Sequence, residues 1–289
     1  MRGEKAPTIG SMFAGIGGFD LGFERAGWRT RWQIEINPIN RAVLGQRFPG
    51  ARQWDDVRTA TAAKLGKVDC ILAGFPCQDI SMSGSSGGKR PGLDGQRSGL
   101  FSEVLRLIDE AQPAWVVLEN VPALLHSNDC RDIQTVIQSL AQRGYLGCFR
   151  VLDSQYFGVP QKRRRLFLVA GLRRLPPLEL LGDAGQLESL PCTLGTESEP
   201  RPAVAWAGHT LQAENSPGRF SLGSTNFVAH ADGWDQMLER ARTHRDDGIP
   251  KGLDDPNFAQ AYSAGNAVVP QVAEWIAAKL IREWKGGGW

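Results

Sequence analysis

Three short stretches of this 289-residue chain carry side chains able to act together on a substrate. In GFPCQDIS, Gly74 to Ser81, Cys77 follows a proline at the end of the apolar run VDCILAGF. Glu119-Asn120-Val121 closes a second apolar run, and Gln161 to Arg165, QKRRR, leads into a third, LFLVAG. A thiolate is a nucleophile, a strand-end carboxyl can hold or give a proton, and guanidinium groups grip anions and carbonyl oxygens. The three stretches therefore read as a nucleophile, an acid and an anion clamp.

Each has a blander reading. Cysteine is most often a small core residue, and Cys70, Cys130, Cys148 and Cys192 are read that way. Cys77 differs because it heads a long loop carrying Lys89, Arg90 and Arg97, whose charge would favour its thiolate. Glu119 could be a solvated strand-end carboxylate; burial would instead raise its pKa and keep a proton on it. A basic run is usually a solvated face. This one has Gln161, Arg163 and Arg165 on one side at strand periodicity and enters a buried strand, where unpaired arginines are costly unless a phosphate or base carbonyl meets them.

These residues need elements to hold them. Thr8 to Ala14 reads as a strand ending in GIGG, after which Phe19, Phe23 and Ala26 recur at helical spacing up to Gly27. An alternating strand, Arg31 to Ile36, a helix from Pro38 to Phe48, a short strand near Val57 and an apolar strand from Val68 to Phe75 follow. Helix Phe101 to Ala111, strand Trp115 to Val121, a helix over Ile133 to Leu140, and strands Tyr145 to Leu152 and Arg165 to Gly171 bring the count to about seven strands. The alternation predicts an α/β fold, a parallel sheet with helices on both faces in the doubly wound pattern. The Ser81 to Gly99 stretch is too long for an ordinary connector and is expected to be functional. Residues 172–262 lose the pattern and are assigned to a second, smaller domain, with helix Gln271 to Trp284 returning to the first.

A glycine-rich strand-to-helix turn alone is weak evidence for a nucleotide-like ligand. Its context adds Glu35 at the end of the second strand, where a carboxylate can accept ribose hydroxyls, and Asp56 at the end of the next, facing an adenine amine.

Composition, at 42% hydrophobic and 22% charged, fits a globular protein, and a net charge of +2 means any nucleic-acid surface must be local. Five cysteines without CxxC or histidine spacing argue against a disulfide frame or a zinc site, so a reducing cytoplasm is expected and no metal. Glycines and Asp20 interrupt the N-terminal stretch before it could span a bilayer, so neither a membrane nor export is expected.

FAGIGG, Glu35, Asp56, GFPCQDIS, GLDGQRSGLF, ENV, VPQKRRR and GNAVVP occur in the order and near the spacings of the DNA (cytosine-5)-methyltransferase family, which the chain resembles over residues 8–171 and 263–284. The resemblance implies a Rossmann-like, S-adenosyl-L-methionine-dependent catalytic domain, residues 1–171 plus 263–289, and a small target-recognition domain, 172–262. It makes Cys77 the nucleophile on cytosine carbon 6, Glu119 the partner of N3 and the exocyclic amine, and Arg165 and Arg163 contacts to the base and its surroundings. Phe13, Ala14, Gly15, Ile16, Gly18, Glu35, Asp56, Val57, Pro76, Leu100, Asn266 and Ala267 would line the cofactor pocket. Gln78, Ser81, Lys89, Arg90, Arg97, Gln161 and Arg163 would meet double-stranded DNA. A flipped base, a closing Ser81 to Gly99 loop, a bacterial or phage-infected cytoplasm and a cognate restriction endonuclease go with that reading.

The family's usual segment before GNAVVP, RxLTxxExxRLQGFP, is not found in RARTHRDDGIPKGLDDPNFAQAYSA, so the recognition domain must be small or rebuilt. Two alternatives stay open: an RNA methyltransferase on the same scaffold, and a catalytically silent DNA-binding relative. A nicotinamide-dependent dehydrogenase would rest on the glycine turn alone and leave PCQ, ENV and QKRRR unexplained.

Overall fold

The computed structural model describes residues 6–76, 99–128, 130–159, 161–180, 203–206, 211–213, 220–222 and 267–285. Its elements run β1 (Thr8–Met12), α1 (Gly18–Arg25), β2 (Arg29–Ile34), α2 (Pro38–Arg47), β3 (Arg52–Trp54), α3 (Ala62–Leu65), β4 (Cys70–Ala73), α4 (Leu100–Ala111), β5 (Trp115–Asn120), α5 (Arg131–Gln142), β6 (Tyr145–Asp153), β7 (Arg164–Leu172), β8 (Ala203–Trp206), β9 (Leu211–Ala213), β10 (Phe220–Leu222) and α6 (Pro270–Lys285).

The main sheet has the order β3-β2-β1-β4-β5-β7-β6-β8. Strands β1 to β5 pair in parallel, and the winding reverses between β1 and β4, the kind of position at which open α/β sheets leave a crevice for ligands. Side chains alternate between two cores. Met12, Ile34, Ile71, Ala73, Val116, Leu118 and Leu168 pack with α4 and α5 on one face. Ile9, Leu72, Trp115, Val117 and Val169 pack with Phe19 and Phe23 of α1 and Val272, Ile276 and Leu280 of α6 on the other. Each such side chain, fully buried, contributes roughly 1.5–3 kcal/mol, so the strand apolar runs and the helix stripes commit the chain to this three-layer arrangement.

The expected parallel sheet fails at one strand. β7 is antiparallel to both β5 and β6. The reason is local: among the described residues the β6–β7 link holds one 3-10 turn, Ser154–Phe157, and no crossover helix, and without a crossover a strand can return only antiparallel. The short strand expected near Val57 lies earlier, at β3, because Asp56 turns the chain by accepting from the Arg58 amide at 2.9 Å and, through its carbonyl, from the Thr59 amide at 3.1 Å. Likewise β2 stops at Ile34 and not at Ile36, since Asn37 caps α2 by accepting from the Ile39 amide and Pro38 opens the helix. β8, from the 172–262 stretch, adds an antiparallel edge to β6, and Leu180 is buried in the α1–α6 core.

Candidate active site

The carboxyl ends of β1, β4 and β5 lie side by side, Met12 opposite Ala73 and Ala73 opposite Leu118. The turn after β1, the tail after β4 and the end of β5 therefore meet at one edge. Because β7 runs the other way, its basic entry reaches that same edge: Asn120 is opposite Leu166, and Arg165 is the next residue out.

Glu119, with 12% of its side chain exposed, receives Arg165 Nε on Oε1 at 3.0 Å. Its Oε2 lies against β4's tail, 3.4 Å from where a side chain on Gly74 would begin. Burial pushes the Glu119 carboxyl up from its ordinary value, and the Arg165 and Arg163 charges and the Arg165 hydrogen bond pull it back. Burial lowers the Arg163 guanidinium to about 10, Arg165 adding to that and Glu119 opposing it. Asp153 Oδ1 accepts from the Arg163 amide at 3.0 Å, which fixes the approach of the basic run. Gln161, Lys162 and Arg164 are exposed, whereas Arg163 and Arg165 are half-buried. The two arginines thus share the inward side, while Gln161 does not.

Asn120 was not singled out from the sequence, yet it holds this edge together. It is buried, its Nδ2 donates to the Phe75 carbonyl at 3.2 Å, and its Oδ1 accepts from the Val121 amide at 2.8 Å. It therefore ties β5 to the Phe75-Pro76 tail. Cys77, Gln78, Ser81, Lys89, Arg90 and Arg97 lie outside the described residues, as does Asn266. Cys70, Cys130 and Cys148 are buried, and burial pushes Cys70 well above its ordinary value and Cys148 to about 12, so neither of these two is poised to react.

The β1–α1 turn is strained and well held. Phe13 has φ 56°, a left-handed conformation that costs a non-glycine residue about 1–3 kcal/mol. Three bonds impose it: the Ala14 amide to the Ile34 carbonyl at 3.0 Å, the Gly15 amide to Glu35 Oε2 at 2.8 Å, and the Gly17 amide to the Ala14 carbonyl at 2.9 Å. Glu35 also accepts from the Asn37 amide at 2.9 Å. The acidic residue expected to receive a ligand thus already clamps the turn, leaving one lone pair on each oxygen. Gly15 faces open space, with nothing within 4 Å of the position a β-carbon would take. This empty flank and the clamped main chain fit an adenosyl ligand laid along the turn.

Asp56 is one-third exposed and ion-paired with Arg58 at 3.8 Å, whereas Val57 is buried and its carbonyl accepts from Arg106 Nη2 of α4 at 2.9 Å. Leu100 opens α4 and packs against the core. Ile16, Gly18 and Ala267 share one cavity of about 220 Å³ with Gln161, Gln271 and Arg47. Arg47, in the last turn of α2, carried no signal in the sequence. Gly18 also has a packing role: a β-carbon there would stand 2.0 Å from the Val268 carbonyl oxygen. Val268 of GNAVVP therefore lies directly on the glycine turn, which joins two motifs some 250 residues apart in sequence.

Among the described residues, no helix is long and apolar enough to cross a membrane, and no group of three or more His, Cys, Asp or Glu could hold a metal ion.

A sequence model of C-5 cytosine-specific DNA methylases matches residues 8–189. The type II methyltransferase M2.BsuMI of Bacillus subtilis (strain 168) is 37% identical over 166 residues, 56% of this chain and 41% of that protein. M.MspI of Moraxella sp is 35% identical over 164 residues, 56% of this chain and 38% of that one. The chain thus spans about two-fifths of the length of these relatives. The solved structure of the S. pombe Dnmt2 methyltransferase superposes with a TM-score of 0.58 at 15% identity, covering 96% of this chain and 99% of that one. The Entamoeba histolytica methyltransferase EhMeth gives 0.58 at 15%, covering 97% and 99%. At such identity the likeness is one of fold.

Proposed function

This chain belongs to the C-5 cytosine-specific DNA methylase family, and from that premise we propose that it methylates carbon 5 of cytosine in double-stranded DNA through a covalent adduct on Cys77. The observation that carries the reading is the Glu119–Arg165 pair, seated beside Gly74, three residues before Cys77.

Carbon 5 of cytosine is a poor nucleophile within an aromatic ring. Addition of the Cys77 thiolate at carbon 6 moves electron density to carbon 5, and loss of the carbon 5 proton after methyl transfer expels the thiolate. Glu119 is suited to the complementary task at N3 and the exocyclic amine. Its raised pKa lets it bring a proton to N3 as density builds in the ring, and Arg165 then stabilises the carboxylate left behind. Arg163, half-buried beside the pair, is proposed to hold the loop or backbone next to the base. A base inside a duplex cannot be reached this way, so the cytosine must be flipped out, with the Ser81 to Gly99 loop closing over the DNA.

S-adenosyl-L-methionine supplies the methyl group. Phe13 to Ile16, Gly18, Glu35, Asp56, Val57, Pro76, Leu100, Asn266 and Ala267 are proposed to hold it. Residues 1–171 and 263–289 form the catalytic part in this proposal. Target recognition falls to 172–262, less Leu172 at the end of β7, Leu180 in the α1–α6 core and the Ala203–Trp206 strand that joins the main sheet. A cognate restriction endonuclease and a bacterial or phage-infected cytoplasm are proposed from the relatives named type II methyltransferases.

The test is transfer of tritiated methyl groups to duplex DNA and to transfer RNA by the wild type and by Cys77→Ala. Label in DNA that vanishes in Cys77→Ala, with cofactor binding retained, supports the proposal. Label in RNA alone, or unchanged transfer by Cys77→Ala, overturns it.

A further inference from the structure

Asp20, the third residue of α1, is completely buried, and no ion pair reaches it among the described residues. It faces Gln33 and Ser11, which are also completely buried. The Asp20 oxygens, Ser11 Oγ and Gln33 Nε2 make no closed hydrogen bond among the described residues, although Gln33, Ser11 and the Asp20 amide all face the carboxyl. Ser11 and Gln33 are register partners across β1 and β2, as are Gln33 and Gln53 across β2 and β3. Gln53 Nε2 donates to Gln33 Oε1 at 2.6 Å. A polar row thus crosses three strands beneath α1 in an otherwise apolar layer, where unpaired polar atoms are costly.

The position of the row is the informative part. Ser11 stands two residues before Phe13, Gln33 two before Glu35, and Asp20 three after Gly17. These are the roots of the three segments that meet in the Gly15 amide to Glu35 bond. We propose that Asp20 is a positioning residue for the ligand-facing turn, its carboxyl joining α1 to Ser11 and Gln33 and thereby setting where Gly15 and Glu35 stand. The proposal rests on reading that turn as the cofactor pocket.

The donor count supports it. Burial raises the carboxyl to about 7, with Gln33, Ser11 and the Asp20 amide opposing and the Glu24 charge adding to it. In its protonated form Asp20 can donate to Ser11 Oγ and accept from Gln33 Nε2, while Gln33 accepts from Gln53, so donation runs in one direction along the row. The opposite side of α1, at Gly18 and Gly22, is taken by α6 and its approach, so nothing from α6 substitutes for these partners.

The test uses the full chain with Asp20→Leu, Asp20→Asn and Ser11→Ala. Three quantities are read: hydrogen-exchange protection of the Gly15 amide, affinity for S-adenosylhomocysteine by calorimetry, and single-turnover methylation at saturating cofactor. Asp20→Leu should lower Gly15 protection and weaken cofactor binding about tenfold, the loss expected from one misplaced hydrogen bond. The saturated rate should stay near that of the wild type. Asp20→Asn, which keeps a donor and an acceptor, should restore both binding and protection. Unchanged protection in a folded Asp20→Leu, or Asp20→Asn as impaired as Asp20→Leu, overturns the proposal. If Asp20→Leu does not fold, Ser11→Ala decides by the same protection measurement. If the wild type binds no cofactor, the proposed function fails, and Gly15 exchange still decides the positioning role.

Discussion

Replacing Asn120 by alanine should damage stability and rate together, for a reason visible in two bonds. The side chain donates to the Phe75 carbonyl at 3.2 Å and accepts from the Val121 amide at 2.8 Å, and both Asn120 and Phe75 are only 3% exposed. Alanine leaves the carbonyl with no donor among the described residues in a buried place, a loss of about 1–3 kcal/mol. The Val121 amide lies in a part-buried position where water can replace its partner, so its loss adds about 0.5–1 kcal/mol. The expected destabilisation is about 1.5–4 kcal/mol, read as a lower urea midpoint with an unchanged slope. The Phe75-Pro76 tail leads directly to Cys77, so freeing it also blurs the placement of the proposed nucleophile. Misplacement on that scale costs roughly 10²-fold in rate, to be seen in single-turnover methylation at saturating DNA and cofactor. A destabilisation below about 0.5 kcal/mol together with an unchanged rate would refute the claim that Asn120 binds the two strand ends into one site.

Three further outcomes are expected. Gly22→Ala puts a β-carbon 2.4 Å from the Pro270 carbonyl oxygen and 2.5 Å from the Ala273 β-carbon. It should cost about 1–3 kcal/mol by overpacking, and a stability gain in urea unfolding would show that α6 does not sit so close. Asp20 has its carboxyl raised from 3.8 to about 7 in the fold, so the stability it contributes is fully present below pH 3.8 and is lost as pH rises through about 7. At 1.36 kcal/mol per unit, the wild type should lose about 4 kcal/mol relative to Asp20→Asn between pH 4 and pH 8, and a difference that is flat with pH would contradict the buried carboxyl. Arg165→Gln removes the larger of the two charges that hold the Glu119 pKa down. Carbon-13 NMR of the Glu119 carboxyl should therefore show its titration midpoint move up, and a downward move would show that Arg165 is not its partner in solution.

Much of this molecule is legible in its order of residues. Apolar runs mark β4, β5 and β7, because a strand buried on both faces is apolar over most of its length. Stripes such as Ile133, Val136, Ile137 and Leu140 mark a helix, because only that period keeps them on one face. The pairing of Glu119 with the basic run was readable from residue type and position at strand ends. Asn120 and Asp20 were not, since a buried asparagine or aspartate looks in sequence like any loop or cap residue until its partners are known.

The chain's sequence by itself determines the elements, the family and the chemical identity of the proposed site. Only the tertiary structure decides that the site closes. An all-parallel sheet would deliver Arg163 and Arg165 to the edge opposite Glu119. The short β6–β7 link forces β7 to run antiparallel, and this reversal brings Arg165 Nε to 3.0 Å from the Glu119 carboxylate. The same holds for GNAVVP, whose Val268 carbonyl finds room on the turn only because position 18 is glycine. In both cases the sequence names the groups, while strand direction and close packing, which depend on distant parts of the chain, set the distances at which they act.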